Sequence, residues 1–356
     1  MKILITGICG FVGSELALSI KQSDPGIAIF GIDNFSRQGA YLNKALLEKS
    51  RIKVFPGDIR MASDMEALPK ADWVIDAAAN PSVLAGVDGH TGPRQLLEHN
   101  LLSTVNILEY CRRHEAGFLL LSTSRVYSVK ALAAIPVIPT NDAFDLDSSK
   151  RFLPGLSREG IDVEFPTNSP ISLYGASKLA SETISLEYGE AFGFPVWINR
   201  CGVLAGAGQF GKPNQGIVSF WINSWLHQKP LKYIGFSGTV YQVRDCLHPQ
   251  DLASLILMQI FDQSTGRPKT LNLGGGPENR FSLLQLTNWC VAEMGRHEVL
   301  PSTEERPYDA PWIVMDNSTV YRHWGWKPTI SSQNIFREVL EHAKKHPDWL
   351  KVSGAE

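Results

Sequence analysis

A chain that opens MKILITGICGFVG has few folds available to it. Lys2-Ile3-Leu4-Ile5 is a short apolar run that predicts a buried strand, and Ser14 to Ile20 predicts a helix. Between them Gly7, Gly10 and Gly13 form a G-x-x-G-x-x-G turn. The first glycine permits the tight turn, the second lets backbone N–H groups approach a pyrophosphate, and the third lets helix and strand pack together. The helix N-terminus then faces the negative charge. Glycine turns are common, but this one stands between a strand and a helix, and a second strand, Ile29-Phe30-Gly31-Ile32-Asp33, follows it. The terminal acid of that strand is placed to accept hydrogen bonds from a ribose diol, and its carboxylate repels a 2′-phosphate. Arg37, just downstream, works against that repulsion. The combination predicts a dinucleotide site that prefers NAD over NADP.

From Met1 to about Gly202, apolar strands alternate with helical stretches, the pattern of a parallel sheet covered on both faces. Ile52-Lys53-Val54-Phe55 leads to Gly57-Asp58-Ile59, and Trp73-Val74-Ile75-Asp76 runs into Ala77-Ala78-Ala79. Phe118 to Leu121 and Pro195 to Asn199 continue the series. Small residues at the carboxyl end of a strand let a cofactor lie against backbone, although tight helix–sheet packing selects the same alanines. The fold class expected is α/β, a doubly wound parallel sheet of the Rossmann kind. One helix is expected over 93–114, carrying Asn100, and another over 175–192 after Tyr174. Their apolar faces are wider than one sheet face covers, which points to a helical seam across the two-fold of a homodimer.

After about Leu204 the alternation stops. Gly, Pro, Asn and Gln cluster over 206–215, and a helix with Ile217, Phe220, Trp221 and Trp225 on one face follows. That aromatic stripe reads as packing. Asp251 to Phe261 predicts an apolar helix, Leu271-Asn272-Leu273 a last strand of the sheet, and Gly274-Gly275-Gly276 a turn before a helix capped by Ser282. Ser331 is expected to cap the final helix. The division expected is a dinucleotide-binding domain over 1–204 with a return segment at about 243–275, and a smaller substrate-binding lobe from 205–242 and 276–356.

A net charge of −2 gives no reason to expect nucleic acid or an anionic membrane as a partner. No apolar run approaches the ~20 residues needed to span a bilayer. The first strand begins at the N-terminus, so no signal peptide is expected. Cys9, Cys111, Cys201, Cys246 and Cys290 are scattered and never form a C-x-x-C pair, which points to reduced thiols in the cytoplasm. No metal is expected, and histidines such as His114 and His227 read as exposed helix residues.

Ser122-Thr123-Ser124-Arg125-Val126-Tyr127 places hydroxyls at the carboxyl edge of the sheet. Downstream, Tyr174-Gly175-Ala176-Ser177-Lys178 sets a phenol and an ammonium four residues apart, on one face of a helix. The ammonium stabilises phenolate and lowers its pKa from about 10 toward the working pH. Tyr174 is therefore a candidate general base for a substrate hydroxyl, with Thr123 orienting the same oxygen. Tyr-x-x-x-Lys pairs also occur as plain helix-surface neighbours; the glycine turn and the strand-end hydroxyls favour the catalytic reading. Arg244 and Arg306, in loop contexts of the later lobe, are candidates for an anionic ligand group, because guanidinium forks suit carboxylate and phosphate. The alternative is ion pairing, of Arg244 with Asp245 and of Arg306 with Glu304 or Glu305.

Gly7/Gly10/Gly13, Asp33, Gly57-Asp58-Ile59, Asn100, Thr123 and Tyr174/Lys178, in this order, resemble the extended short-chain dehydrogenase/reductase family of nucleotide-sugar epimerases, dehydratases and decarboxylases. Asp33-Asn34-Phe35-Ser36-Arg37-Gln38-Gly39-Ala40, Gly208-Gln209-Phe210, Asn214-Gln215-Gly216 and Gln242-Val243-Arg244-Asp245 with His248 and Asp251 resemble its CDP-paratose (CDP-tyvelose) 2-epimerase branch. So does the long insert between Tyr127 and Tyr174. The resemblance implies a tightly held NAD, oxidation at C2 of a nucleotide-linked sugar, and hydride return to the opposite face of a transient ketone. It extends the cofactor set to Phe11, Val12, Asn34, Ser36, Arg37, Asp58, Ile59, Ala77, Ala78, Ala79, Asn100, Ser122 and Val203, beside Tyr174 and Lys178. On the substrate side it implies Thr123, Arg125, Gln209, Gln215, Arg244 and Arg306. The chain departs from the family pattern at Ala77-Ala78-Ala79, where relatives often begin with histidine, and at Cys201-Gly202-Val203. Dehydratases of the family carry an Asp-Glu pair just after the threonine, where this chain has Ser124 and Arg125. Alternatives are a 4-epimerase, decarboxylase or 4,6-dehydratase of the same fold, or a non-catalytic dinucleotide sensor; such sensors typically lose the tyrosine or lysine that this chain keeps.

Overall fold

The computed structural model describes residues 1–87 and 89–355, so Glu356, the end of the expected lobe, lies outside the described residues. The opening apolar run is strand β1 (Lys2–Thr6), with Ile3, Leu4 and Ile5 fully buried. It pairs in parallel with β2 (Ala28–Asp33) on one side and β4 (Trp73–Asp76) on the other. β3 (Lys53–Pro56) lies beyond β2, and β5 (Gly117–Thr123) beyond β4, again in parallel. Among the described residues the sheet runs Thr270–Leu273, Val196–Cys201, β5, β4, β1, β2, β3. Strand order reverses between β1 and β4, and ligands of such sheets bind outside the carboxyl ends of strands at that reversal. β5 is buried along its whole length, as a central strand covered on both faces must be.

The chain divides into two units. The first comprises Met1–Val126, Leu173–Arg200 and Pro249–Leu271; the second comprises Tyr127–Ser172, Cys201–His248 and Asn272–Glu356. This places the insert after Tyr127 in the second unit, whereas the sequence reading put it in the first, and the return segment starts at Pro249 rather than near 243. Hydrogen bonds account for the insert. Tyr127 Oη donates to Asn272 Oδ1 at 2.6 Å, and Asn272 Nδ2 donates to the Ile161 carbonyl at 2.6 Å, so the insert is tied to a distant segment. The insert contains a short helix, Val129–Ala133, and two small hairpins, Val137–Pro139 with Phe144–Leu146 and Leu156–Ser157 with Gly160–Ile161. These escaped the sequence reading because strands of two or three residues carry no measurable periodicity.

In the first unit, the single helix expected over 93–114 is interrupted. Pro93–Leu97 and Ser103–His114 are α-helical, and Glu98–Leu102 between them forms a wider π turn that carries Asn100. His114 is half-buried rather than exposed, its ring tilted against Tyr110. No helix of the described residues is long and apolar enough to cross a membrane.

In the second unit, Val243–Leu247 pairs with Val203–Leu204, Arg280–Ser282 and Trp312–Ile313. The aromatic stripe is packing, as expected: Trp221 and Trp225 are buried in one core with Phe281, Phe336 and Val339. His227, just past that helix, is half-buried. Ser282 forms a capping box with Gln285, and Ser331 caps Ser332–Lys345 through the Asn334 N–H. That helix is not the last, because Trp349–Ser353 follows. All five cysteines are free and buried.

Candidate active site

The glycine turn is a cradle that only glycine can line. Gly7 has φ +61° and its N–H donates to the Ile32 carbonyl at 2.9 Å. A Cβ on Gly7 would sit 2.9 Å from Cα of Ala78, and one on Gly13 would sit 2.3 Å from the Gly7 carbonyl oxygen. The helix that follows, Phe11–Ser23, has no side-chain cap and no acid in its first turn, so its positive end is left to an anion. Phe11 is buried and Val12 half-buried at that end.

Asp33, at the end of β2, ties the cradle to the sheet. Its Oδ2 accepts from the Cys9 N–H and its Oδ1 from the Phe35 N–H, both at 2.8 Å. Burial pushes its carboxyl up, and the N–H groups of Phe35, Cys9 and Gly10 oppose that. A carboxylate oxygen accepts more than one hydrogen bond, so each keeps capacity for a ribose hydroxyl. Beside it, the Ser36 N–H donates to Asn34 Oδ1, and Asn34 Nδ2 donates to Asp58 Oδ2 at 3.1 Å. Arg60 pairs with Asp58 at 2.6 Å and holds its carboxyl well below the usual range. Burial lowers the pKa of the Arg37 guanidinium. Ile59 sits in the apolar core, so it can offer a ligand mainly its backbone. The cradle, the open helix end and the Asp33 carboxylate fit a dinucleotide.

Beyond β4, Ala77 and Ala78 are half-buried and Ala79 is exposed, with the Ala78 N–H on Thr6 Oγ1. Asn100 holds this segment from the π turn. Its Oδ1 accepts from the Asn80 N–H at 2.8 Å, and its Nδ2 donates to the Asn80 carbonyl at 3.1 Å and to Ser177 Oγ at 3.2 Å.

The helix Leu173–Phe192 carries Tyr174 and Lys178 in its first turns, both buried. Tyr174 packs with Ala85 and Leu96. Thr123 ends β5, and its Oγ1 accepts from the Arg125 N–H at 3.2 Å within the short turn Ser124–Val126. Three buried charged residues here were not singled out as functional from the sequence. Asp76 accepts from Thr6 Oγ1 at 2.6 Å; burial raises its pKa, and the positive charge of Lys178 opposes that rise. Glu182, two helical turns past Tyr174, accepts from Ser122 Oγ and pairs with Arg200 at 2.7 Å. The repeat of Tyr174, Lys178 and Glu182 at every fourth position was the available signal.

Of the candidate substrate residues in the second unit, Arg306 meets the loop that carries Gln209 and Gln215, while Arg244 is held by Asp309. Arg306 Nη2 donates to the Pro213 carbonyl at 3.1 Å, within the Gly/Pro-rich segment that carries Gln209 and Gln215. Gln209 Nε2 donates to the Leu204 carbonyl at 2.7 Å, while Gln215 and Lys212 exchange backbone bonds. Arg244 pairs with Asp309 at 2.6 Å, and its Nη1 donates to the Ala310 and Val243 carbonyls. Its partner is thus Asp309 rather than the adjacent Asp245, and Glu304 pairs with Lys232. Val203 is half-buried in its two-residue strand.

Over 96% of its length the chain is 30% identical to the CDP-paratose 2-epimerase of Salmonella typhi, spanning 98% of that protein. It is 23% identical to the dTDP-glucose 4,6-dehydratase of Escherichia coli over 99% of this chain and 95% of that one. The crystal structure of UDP-glucose 4-epimerase from Bifidobacterium longum in complex with NAD+ and UDP has the same fold, with a TM-score of 0.79 at 22% identity over 98% of this chain and all of that one. The NAD dependent epimerase/dehydratase family matches residues 3–274, and the chain belongs to that family, with NAD as its cofactor.

Proposed function

We propose that the protein epimerises a nucleotide-diphosphate sugar, acting at C2 of a CDP-paratose- or CDP-tyvelose-like substrate. The observation that carries this reading is Thr123 at the end of β5 with Tyr174 and Lys178 buried at the start of one helix, in the unit that holds the dinucleotide cradle. Bound NAD supplies a hydride acceptor and donor. Tyr174 takes the proton of the sugar hydroxyl and later returns it, Lys178 stabilises the phenolate, and Thr123 hydrogen-bonds the reacting oxygen. The turn after Thr123 holds Ser124, Arg125 and Val126 and so offers no carboxylate to expel a hydroxyl, which favours epimerisation over dehydration. Position C2 and the cytidine nucleotide rest on the similarity to CDP-paratose 2-epimerase.

In this reading Asp33, Asn34, Ser36, Arg37, Asp58, Asn100 and the glycine turn hold NAD. Arg306 meets the substrate diphosphate, with Gln209 and Gln215 on the neighbouring loop. Two copies pair through the helices at 93–114 and 173–192. A depression of about 460 Å³, lined by Leu97, Leu101, Leu102, Val105 and Ile184 with Arg94 and Glu98 beside them, supports that pairing, and sedimentation at micromolar concentration reads it. The free, buried cysteines support a cytoplasmic location.

Incubation with CDP-, GDP-, UDP- and dTDP-hexoses, followed by NMR at C2 and C4, tests the function. Inversion at C2 of a CDP-sugar is expected. Inversion only at C4, or loss of the C6 hydroxyl, would assign the protein to another branch.

A further inference from the structure

The Glu182–Arg200 pair is nearly solvent-free, with side-chain exposures of 4% and 10%. Its carboxylate is saturated. Oε1 accepts from Ser122 Oγ and from Arg200 Nε at 3.1 Å, and Oε2 accepts from Nε at 3.1 Å and from Nη2 at 2.7 Å. Ser122 precedes Thr123 in β5, and Arg200 is near the end of Val196–Cys201, the strand beside β5 in the sheet. One side chain of the helix is therefore fastened to the ends of two neighbouring strands. Tyr174, Lys178 and Glu182 share a helix face because they recur every fourth residue.

As a source of stability this arrangement is a poor choice. Desolvating two charges costs enough that apolar side chains of similar volume serve equally well or better. Apolar contact has no preferred direction, however, and lets a helix slide along a sheet. A forked guanidinium–carboxylate pair with a third hydrogen bond fixes both distance and angle. We propose that Glu182, with Arg200 and Ser122, is a positioning residue that sets the register of Tyr174 and Lys178 against Thr123. The proposal rests on the catalytic reading given above. It gives the pair a role in reactivity that packing alone does not require.

The double variant Glu182→Leu/Arg200→Met tests it, because it removes both charges together and leaves net charge and side-chain volume nearly constant. It is expected to fold with an unchanged or raised Tm and to purify with its NAD. Turnover is expected to fall about 10–100-fold with little change in KM, the usual cost of misplacing reacting groups by about 1 Å. The titration of the Tyr174 phenol is read by ultraviolet difference against the same protein carrying Tyr174→Phe. It should move upward, because an ammonium held less firmly beside the phenol acidifies it less. Ser122→Ala, which keeps the ion pair, should show a smaller change of the same sign and covers the case in which the double variant does not fold. Wild-type turnover and an unmoved phenol titration in a folded variant would overturn the proposal. The titration needs no substrate, so an upward shift in a protein that turns over no nucleotide sugar keeps the positioning role and removes the proposed function.

Discussion

Asn100 and Ser177 lie 77 residues apart in sequence, yet the Asn100 amide donates to the Ser177 hydroxyl at 3.2 Å in the interior of the first unit. The same amide brackets the backbone of Asn80, so one side chain ties the segment after β4 to the residue before Lys178. The π turn supplies the geometry, and wide turns of this kind are frequent at functional sites. Asn100→Ala strands buried partners and should destabilise the fold by about 1–3 kcal/mol. It should also weaken NAD retention. A denaturant midpoint and cofactor content equal to wild type would contradict this.

Tyr174→Phe should cut turnover by about 10²–10⁴-fold while NAD content stays near normal, because the ring and its packing are kept. Lys178→Met should lower both turnover and cofactor retention, and Thr123→Val should fall between the two. Near-normal turnover in Tyr174→Phe would mean that another group accepts the proton.

Asp33 already accepts two backbone N–H groups, and a 2′-phosphate beside it would meet a carboxylate. NAD should therefore bind more tightly than NADP, as calorimetric titration of the cofactor-free protein can read. Equal affinities would show that Arg37 offsets the repulsion.

Arg244 and Arg306 should separate cleanly. Arg244→Leu leaves the half-buried Asp309 carboxylate without its cation and should cost up to about 3 kcal/mol of stability. Arg306→Ala removes a half-buried guanidinium that donates to the Pro213 carbonyl, and should leave Tm nearly unchanged. Its KM for a nucleotide sugar should rise about 10–100-fold, the worth of a charged hydrogen bond to phosphate. An unchanged KM would remove Arg306 from the diphosphate site.

Burial pushes the Asp245 carboxyl up to about 7, opposed by the N–H groups of Gly276 and Met315. An unfolded aspartate titrates near ~3.9. Between those values the folded chain keeps a proton that the unfolded chain has lost. The stability linked to this group is fully present below about 4 and is lost as pH rises through about 7, by up to about 4 kcal/mol. Asp245→Asn should remove that dependence. A wild-type-minus-variant difference that stays constant across this range would refute the assignment.

The strand–glycine–helix opening, the acid ending β2 and the Tyr174/Lys178 spacing were legible in the amino-acid sequence. Each is local: a turn needs a residue tolerant of positive φ, a buried strand needs an apolar run, and a helix face repeats every third or fourth residue. The caps at Ser282 and Ser331 were legible for the same reason. Tertiary structure alone decided that Arg244 meets Asp309 rather than its neighbour Asp245, and that Glu182 meets Ser122 and Arg200. It also decided that the insert after Tyr127 belongs with Asn272, and that the helix through Asn100 widens into a π turn. Chain-local preferences specify backbone conformation and which face is apolar. Which donor meets which acceptor across tens of residues is set only when those faces pack, because burial makes every unpaired polar group costly and selects the arrangement that pairs them.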